Sequence, residues 1–480
     1  MLTSHEEGDS MSYDLAIIGG GTGGYTAAIR AAKNGLNVLL IEKEQLGGTC
    51  LHKGCIPTKA MLESSGFFHR MAQADEYGIE WTEKPIFSLE KMMERKDKIV
   101  NQLHQGIQYL MRKNKIALEK GTGRISGRSG ESFTVDIQKA DDILRVEAKS
   151  VILATGSVPV IPSSIACQDG LIVTSDHMMS MKNLPKKAAI LGGGVIGAEF
   201  ATVLHELGVE VSIIEQQDRL LPLEDEEISK ELTRLLKRKG INLHLQSRLD
   251  LAGVKTSGAG VALPILNLDS NEIVTEEADL LLLAVGRRNN VSGLGLEELG
   301  VDVSKGFVPV DSYQETAIKG VYAIGDISGS FQLAHVASHQ AIIAVDRIRG
   351  AEGEPYIPEY VPRCVYTNPQ VASIGLTEKE AVERGLDIRI GRFPFKGIGK
   401  ALIHGETDGF VKLVSDASTD RLLGVHMIGP DVSELIGEQA LGMLLEATAW
   451  EVSSAIHPHP TLIEILGEAA LATEGQEING

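Results

Sequence analysis

Apolar positions along the chain mark one order of elements that occurs twice. Residues 13–18 form a short apolar run, 19–24 a glycine-rich turn, 25–34 an alanine-rich helical stretch, and 36–41 a second apolar run closing on Glu42. Two buried runs around a turn and a helix, within about thirty residues, predict a strand-helix-strand unit with parallel strands. The order returns far downstream: 187–191, the turn 192–197, the helical stretch 198–207, then 210–214 closing on Glu215. Between these units, 87–114 predicts a long amphipathic helix and 151–156 is an apolar run that ends on glycine; beyond the second unit, 281–286 has the same form. After the run 321–326 comes a helical stretch, 334–349, and then the proline-rich stretch 354–362, which reads as a linker. Beyond it, strand-like runs at 410–414 and 422–428 and an apolar helix at 433–445 alternate without a glycine fingerprint. The predicted fold class is α/β: two Rossmann-like dinucleotide-binding domains followed by a separate C-terminal α+β domain.

Composition narrows this picture. The chain has 480 residues, enough for several domains, and its 52 glycines cluster in short turns. With 46 Lys and Arg against 65 Asp and Glu, the net charge is −19, which argues against nucleic acid as a partner. Residues 1–10 are polar, and no apolar run approaches the roughly 18 residues of a membrane span, so a soluble, cytoplasmic protein with no membrane partner is expected. The four cysteines, Cys50, Cys55, Cys167 and Cys364, are too few for a secreted disulfide framework.

The first glycine turn reads Gly19-x-Gly21-x-x-Gly24, and the second reads Gly192-x-Gly194-x-x-Gly197. Glycine permits the tight turn and the close approach of backbone to a pyrophosphate, which the following helix N-terminus favours. Glu42 and Glu215 each lie 18 residues beyond the last glycine, where a carboxylate accepts from ribose hydroxyls. A carboxylate at 215 repels a 2′-phosphate, and Gln216-Gln217-Asp218-Arg219 holds a single basic residue, so NAD is expected over NADP.

Cys50 and Cys55 stand in GGTCLHKGCIPTKA, residues 47–60. Two unrelated thiols or half a zinc site are the plain alternatives, but no second ligand pair at matching spacing is visible, so no metal is expected. In an unbroken helix, residues five apart lie about 8 to 9 Å apart, beyond the roughly 4.4 to 6.8 Å of a disulfide. A bond between them therefore needs a break in the helix, which Gly54 permits. Pro57 suits the first turn of a continuing helix, whose N-terminus favours a thiolate at Cys55.

With LATG at 153–156, GGGVIGAEFA at 192–201, AVGRR at 284–288, YAIGD at 322–326, LAH at 333–335 and HPTLIE at 459–464, the chain resembles the pyridine nucleotide-disulfide oxidoreductases over about residues 13–470. In particular it is similar to the members that oxidise protein-bound dihydrolipoyl groups. The resemblance implies a redox disulfide, with Cys50 attacking substrate and Cys55 facing the flavin of FAD. It implies Lys59 near the flavin, ion-paired with Glu199, and His459 as the acid-base group oriented by Glu464. His457 is the rival histidine, and the five-residue step to the carboxylate favours His459. For FAD the resemblance implies Gly19, Gly21, Gly24, Glu42, Gly48, Thr49, Lys59, Thr155, Gly156, Ser157, Asp326 on the ribityl chain, Leu333, Ala334 and His335, with Gly121 a further candidate. For NAD it implies Gly192, Gly194, Gly197, Glu199, Glu215 and Gly286.

The domains expected are a flexible tail at 1–12, an FAD-binding domain at 13–157 continued by a central part at 283–355, an NAD-binding domain at 158–282, and a dimerisation domain at 356–480. The implied partners are a second copy in a homodimer, and the lipoyl domain and subunit-binding domain of a 2-oxo-acid dehydrogenase acyltransferase core. A glutathione-type reductase using NADPH is the alternative, although the group of arginines it calls for after Glu215 is missing, with Arg219 the single basic residue there. Three departures from the family pattern stand out: Thr22, Asn289-Asn290, and the segment 329–332.

Overall fold

The computed structural model describes residues 11–168, 170–258 and 260–479. The expected tail lies almost wholly outside them. The chain divides into two compact units. The first comprises the described residues up to Pro57 together with Glu94–Pro159 and Arg287–Pro358; the second comprises Thr58–Met93, Val160–Gly286 and Glu359 onward.

In the first unit, strand β1 (Ser12–Ile18) leads through helix α1 (Thr22–Lys33) to β2 (Val38–Glu42), and the chain continues into α2 (Gly48–His52) and the start of α3 (Cys55–Met71), whose residues from Thr58 belong to the second unit. Helix α1 starts three residues earlier than its alanine-rich stretch, because Gly23 and Gly24 are themselves helical and buried. The long helix α4 (Leu89–Lys113) lies within the predicted 87–114. Strands β3 (Ala117–Lys120), β4 (Thr122–Ser129), β5 (Ser132–Gln138) and β6 (Ile143–Leu153) complete a sheet of order β3-β2-β1-β6-β5-β4, with Val321–Ala323 also paired to β6. Strand β6 serves two neighbours: residues 143–148 run antiparallel to β5, and 147–153 run parallel to β1 with Ile17 opposite Ile152. Leu15, Ile17, Leu40 and Ile152 are fully buried beneath Ala27, Ala28 and Ala31 of α1, and the small alanines let helix and sheet approach closely.

The second unit contains a five-stranded parallel sheet in the order Asn242–His244, Glu210–Ile214, Lys187–Leu191, Leu280–Leu283, Ile172–Thr174. Helix Val195–Glu206 connects Lys187–Leu191 to Glu210–Ile214, so the second predicted strand-helix-strand unit is present. An antiparallel sheet of four short strands from 247 to 278 stands beside it. The C-terminal part is a five-stranded antiparallel sheet in the order Arg363–Val365, Gln370–Gly375, Leu422–Gly429, Phe410–Asp416, Ile388–Pro394. Helices Val432–Leu444 and Glu464–Leu471 share its core, in which Phe393, Phe395, Val411 and Ile465 are at most 1% exposed. The architecture is mixed α/β, as expected, with strands at both predicted nucleotide units; the antiparallel strands at 122–138 and 247–278 fall where the apolar runs predicted no element. Among the described residues no helix is long and apolar enough to cross a membrane.

Candidate active site

The two glycine turns are built alike. Glu42 accepts the Gly20 N–H at 2.6 Å and the Glu44 N–H at 2.6 Å, one on each carboxylate oxygen. Glu215 accepts the Gly193 N–H at 2.7 Å and the Gln217 N–H at 2.8 Å in the same way. Each acid therefore clips its own turn and keeps lone pairs over for a further donor.

The glycines within each turn have different reasons. A Cβ on Gly24 would sit 1.8 Å from the Gly19 carbonyl oxygen, and one on Gly197 would sit 2.0 Å from that of Gly192, so packing of helix on strand requires glycine there. A Cβ on Gly194 would meet nothing within 4 Å, and one on Gly21 only Gly48 Cα at 3.9 Å. Neither N-cap, Gly21 nor Gly194, receives a side-chain cap. Bare first turns with open space before them fit the pyrophosphates of two dinucleotides. At Gly121 the sheet itself excludes a side chain, since a Cβ would lie 2.6 Å from the Gln138 carbonyl oxygen.

Gly47 and Gly48 hold left-handed backbone, at φ of 107° and 57°. They stitch the cysteine helix to the first turn, Gly47 N–H donating to the Gly20 carbonyl at 2.9 Å and Gly48 packing on Gly21. Cys50 lies in α2 and Cys55 opens α3, so the helix is interrupted between the cysteines, as their spacing demanded. Gly54 lies in the interruption, where a Cβ would stand 3.2 Å from the Thr49 carbonyl oxygen. Burial, and then the nearby Cys50, raise the pKa of the Tyr25 phenol.

A polar chain surrounds Asp326 in the same unit. Arg287 donates through Nε to Ser157 Oγ at 2.8 Å and through Nη2 to the Ser157 carbonyl at 2.8 Å. Ser157 in turn donates to an Asp326 oxygen. Because its oxygen already accepts from an arginine, the single hydroxyl proton is committed to the carboxylate. Thr155 Oγ1 donates to the Asn290 carbonyl at 2.8 Å, and the Asn290 carboxamide returns a bond to the Thr155 carbonyl at 3.0 Å. Gln332 donates to Asn289 at 2.9 Å, so two segments that depart from the family pattern hold each other. Leu333 stands at the uncapped N-terminus of helix Ala334–Ile348, whose Ala337 packs on Gly23 of α1, so 333–335 and the first glycine turn belong to one cluster.

In the second unit, Lys59 donates to both oxygens of Glu199 at 2.8 Å, and the Glu199 side chain is 4% exposed. Gly286 has φ 113° and open space around its Cβ direction. His459 Nδ1 lies 2.9 Å from Glu464, whose other oxygen accepts the Thr461 N–H at 2.8 Å. Burial pushes the Glu464 carboxyl up, but the Thr461 N–H and His459 outweigh it and hold it below the ordinary glutamate value. An ionised carboxylate only accepts, so Nδ1 carries the proton and Nε2 is left for a substrate. His457, the rival, is bound to Glu438 at 3.2 Å instead. Arg287, Tyr25 and Tyr366 went unnoticed in the sequence. Only the AVGRR run pointed to the first; nothing local pointed to the tyrosines.

Two nucleotide turns, a cysteine pair at a broken helix and a histidine-glutamate couple are the parts of a pyridine nucleotide-disulphide oxidoreductase, and the chain belongs to that family. The family "Pyridine nucleotide-disulphide oxidoreductase" matches residues 13–341, and its dimerisation domain matches 361–470. Among relatives, the dihydrolipoyl dehydrogenase of Bacillus subtilis (strain 168) is 46% identical over 473 residues, covering 97% of this chain and 99% of its own. That of Zymomonas mobilis is 39% identical over 468 residues, again covering 97% and 99%. Of solved structures, LpdA from Mycobacterium tuberculosis superposes with a TM-score of 0.88 at 28% identity, covering 96% of this chain and 99% of that one.

Proposed function

We infer that the chain catalyses the dihydrolipoyl dehydrogenase reaction, oxidising a protein-bound dihydrolipoyl group and reducing NAD. The observation that carries this reading is the cysteine helix stitched through Gly47 and Gly48 to the first of two matched nucleotide turns. His459, with Nδ1 held by Glu464, takes the substrate thiol proton at Nε2. The resulting thiolate attacks Cys50 of a Cys50–Cys55 disulfide and expels Cys55 as thiolate. The second substrate sulfur then attacks the mixed disulfide, which closes the lipoyl ring and leaves both cysteines reduced. When bound, FAD would supply the two-electron redox chemistry that links the reduced cysteine pair to hydride transfer onto NAD. Glu42, Thr155, Gly156, Ser157, Asp326 and 333–335 line the FAD site, Lys59 and Glu199 set the charge near the flavin, and Gly192, Gly194, Gly197, Glu215 and Gly286 hold NAD.

Arg219 supports NAD over NADPH, since its guanidinium is engaged by Asp218 at 3.0 Å and the Pro222 carbonyl at 3.5 Å. This counts against the glutathione-type reading. The roles follow the domains 13–157 with 283–355 for FAD, 158–282 for NAD and 356–480 for dimerisation. The dimerisation-domain match supports a homodimer. The working partners are the lipoyl and subunit-binding domains of a 2-oxo-acid dehydrogenase core, in the cytoplasm. Titration of the purified protein with dihydrolipoamide should develop a long-wavelength charge-transfer band that Cys55→Ser abolishes with FAD still bound. A band that persists in Cys55→Ser contradicts the assignment.

A further inference from the structure

Tyr366 touches both members of the Lys59–Glu199 pair. Its backbone N–H donates to Glu199 Oε1 at 3.1 Å, and the Lys59 ammonium stands 4.6 Å from the centroid of its ring. Lys59 is a flexible side chain, 31% exposed, whose charge has many alternative positions along its four-carbon stem. Here the carboxylate takes two of its hydrogens and the ring face borders the charge. Tyr366 itself follows the strand Arg363–Val365, which is anchored by the Arg363–Glu224 ion pair at 3.3 Å.

We propose that Tyr366 is a positioning residue for the flavin-side charge: its N–H orients Glu199, and its ring fixes the Lys59 ammonium in place. This rests on the assignment of Lys59 and Glu199 to the flavin site, and it adds a residue that the resemblance did not supply. The tyrosine hydroxyl enters neither contact.

The test is rapid-mixing reduction of the FAD-loaded protein by dihydrolipoamide, reading the rate constant of flavin reduction and the amplitude of the charge-transfer band. Tyr366→Leu keeps the backbone N–H but removes the ring, and should slow flavin reduction by about 2- to 30-fold, the span of a cation-π contact from exposed to desolvated settings. Tyr366→Phe keeps the ring and should restore the wild-type rate. In a Lys59→Met background, Tyr366→Leu should add no further loss, whereas a merely structural role would add its own. If Tyr366→Leu does not yield folded protein, Tyr366→Met is read in its place. A Phe variant as slow as Leu, or additive losses in the double variant, overturns the proposal. If Lys59→Met itself behaves as wild type, the assignment of Lys59 to the flavin falls first, and this proposal falls with it.

Discussion

Replacing Ser157 by alanine should loosen FAD by about ten- to a hundredfold without unfolding the protein. Ser157 is 5% exposed and stands between Arg287, which donates to its oxygen at 2.8 Å, and Asp326, which receives its proton. Alanine deletes both bonds. Arg287 keeps its bond to the Ser157 carbonyl, so its loss is partial. Asp326 loses a donor that occupied one oxygen, and with it the constraint that leaves the other oxygen for a ribityl hydroxyl. A hydrogen bond to a charged group contributes about 1.5 to 3 kcal/mol, and each 1.4 kcal/mol is about tenfold in affinity. The assay is titration of FAD into flavin-stripped protein, followed by quenching of flavin fluorescence, with thermal unfolding of both apoproteins as the control for fold. Binding within about twofold of wild type, from an equally stable apoprotein, would refute the placement of Asp326 on the ribityl chain.

Three further outcomes are expected. Lys412, 1% exposed, bonds Asp225 at 3.1 and 3.0 Å, so Lys412→Met strands a buried carboxylate and should cost about 3 to 5 kcal/mol, read as an earlier urea transition. Burial lowers the pKa of this lysine, but Glu378, Glu227 and Asp225 raise it more. Its contribution is therefore full below the ordinary lysine pKa of about 10.4 and fades as pH rises through the higher folded value, closing the gap to the variant; a gap constant with pH would count against this. Burial, then Glu224 and Glu434, push the Cys364 thiol up to about 11, so iodoacetamide at pH 8 should label it at least about a hundredfold more slowly than a peptide thiol, by mass spectrometry of its peptide. Gly194→Ala should fold normally yet bind NAD weakly by calorimetry, whereas Gly197→Ala, its Cβ 2.0 Å from Gly192, should destabilise the second unit by about 3 kcal/mol or more; equal behaviour of the two would undo the division of labour among these glycines.

What could be read from the residues themselves was local; the one distant pairing expected, Lys59 with Glu199 across 140 residues, came from the family resemblance. Both nucleotide units, the break at Gly54 and the His459–Glu464 step depend on residues within a few turns of one another. Helix Glu226–Arg238 could also have been read, with Asp225 as N-cap, acids in its first turn and bases in its last, but no element was assigned there. The strand Ile273–Ala278 was hidden because its residues are mostly exposed, and Thr-Glu-Glu breaks any apolar alternation. Lys412 reads as one polar residue in an apolar strand, and only the fold supplies Asp225 from 187 residues away. Tyr366 was invisible for the same reason, since its two contacts are made with Glu199 and Lys59.

The carboxylate clip at each nucleotide turn links cofactor choice to fold integrity. Glu215 holds the Gly193 and Gln217 N–H groups before any ribose arrives. A change toward NADP that simply removes this acid therefore gives up two charge-assisted bonds inside the turn as well as the repulsion of a phosphate. A mutational route between the two cofactors must first replace the clip, with an aspartate or a hydroxyl able to accept the Gly193 N–H, and only then add an arginine. The same linkage at Glu42 makes the shape of the flavin turn a property of the bare polypeptide, so flavin loss should leave a turn ready for reloading.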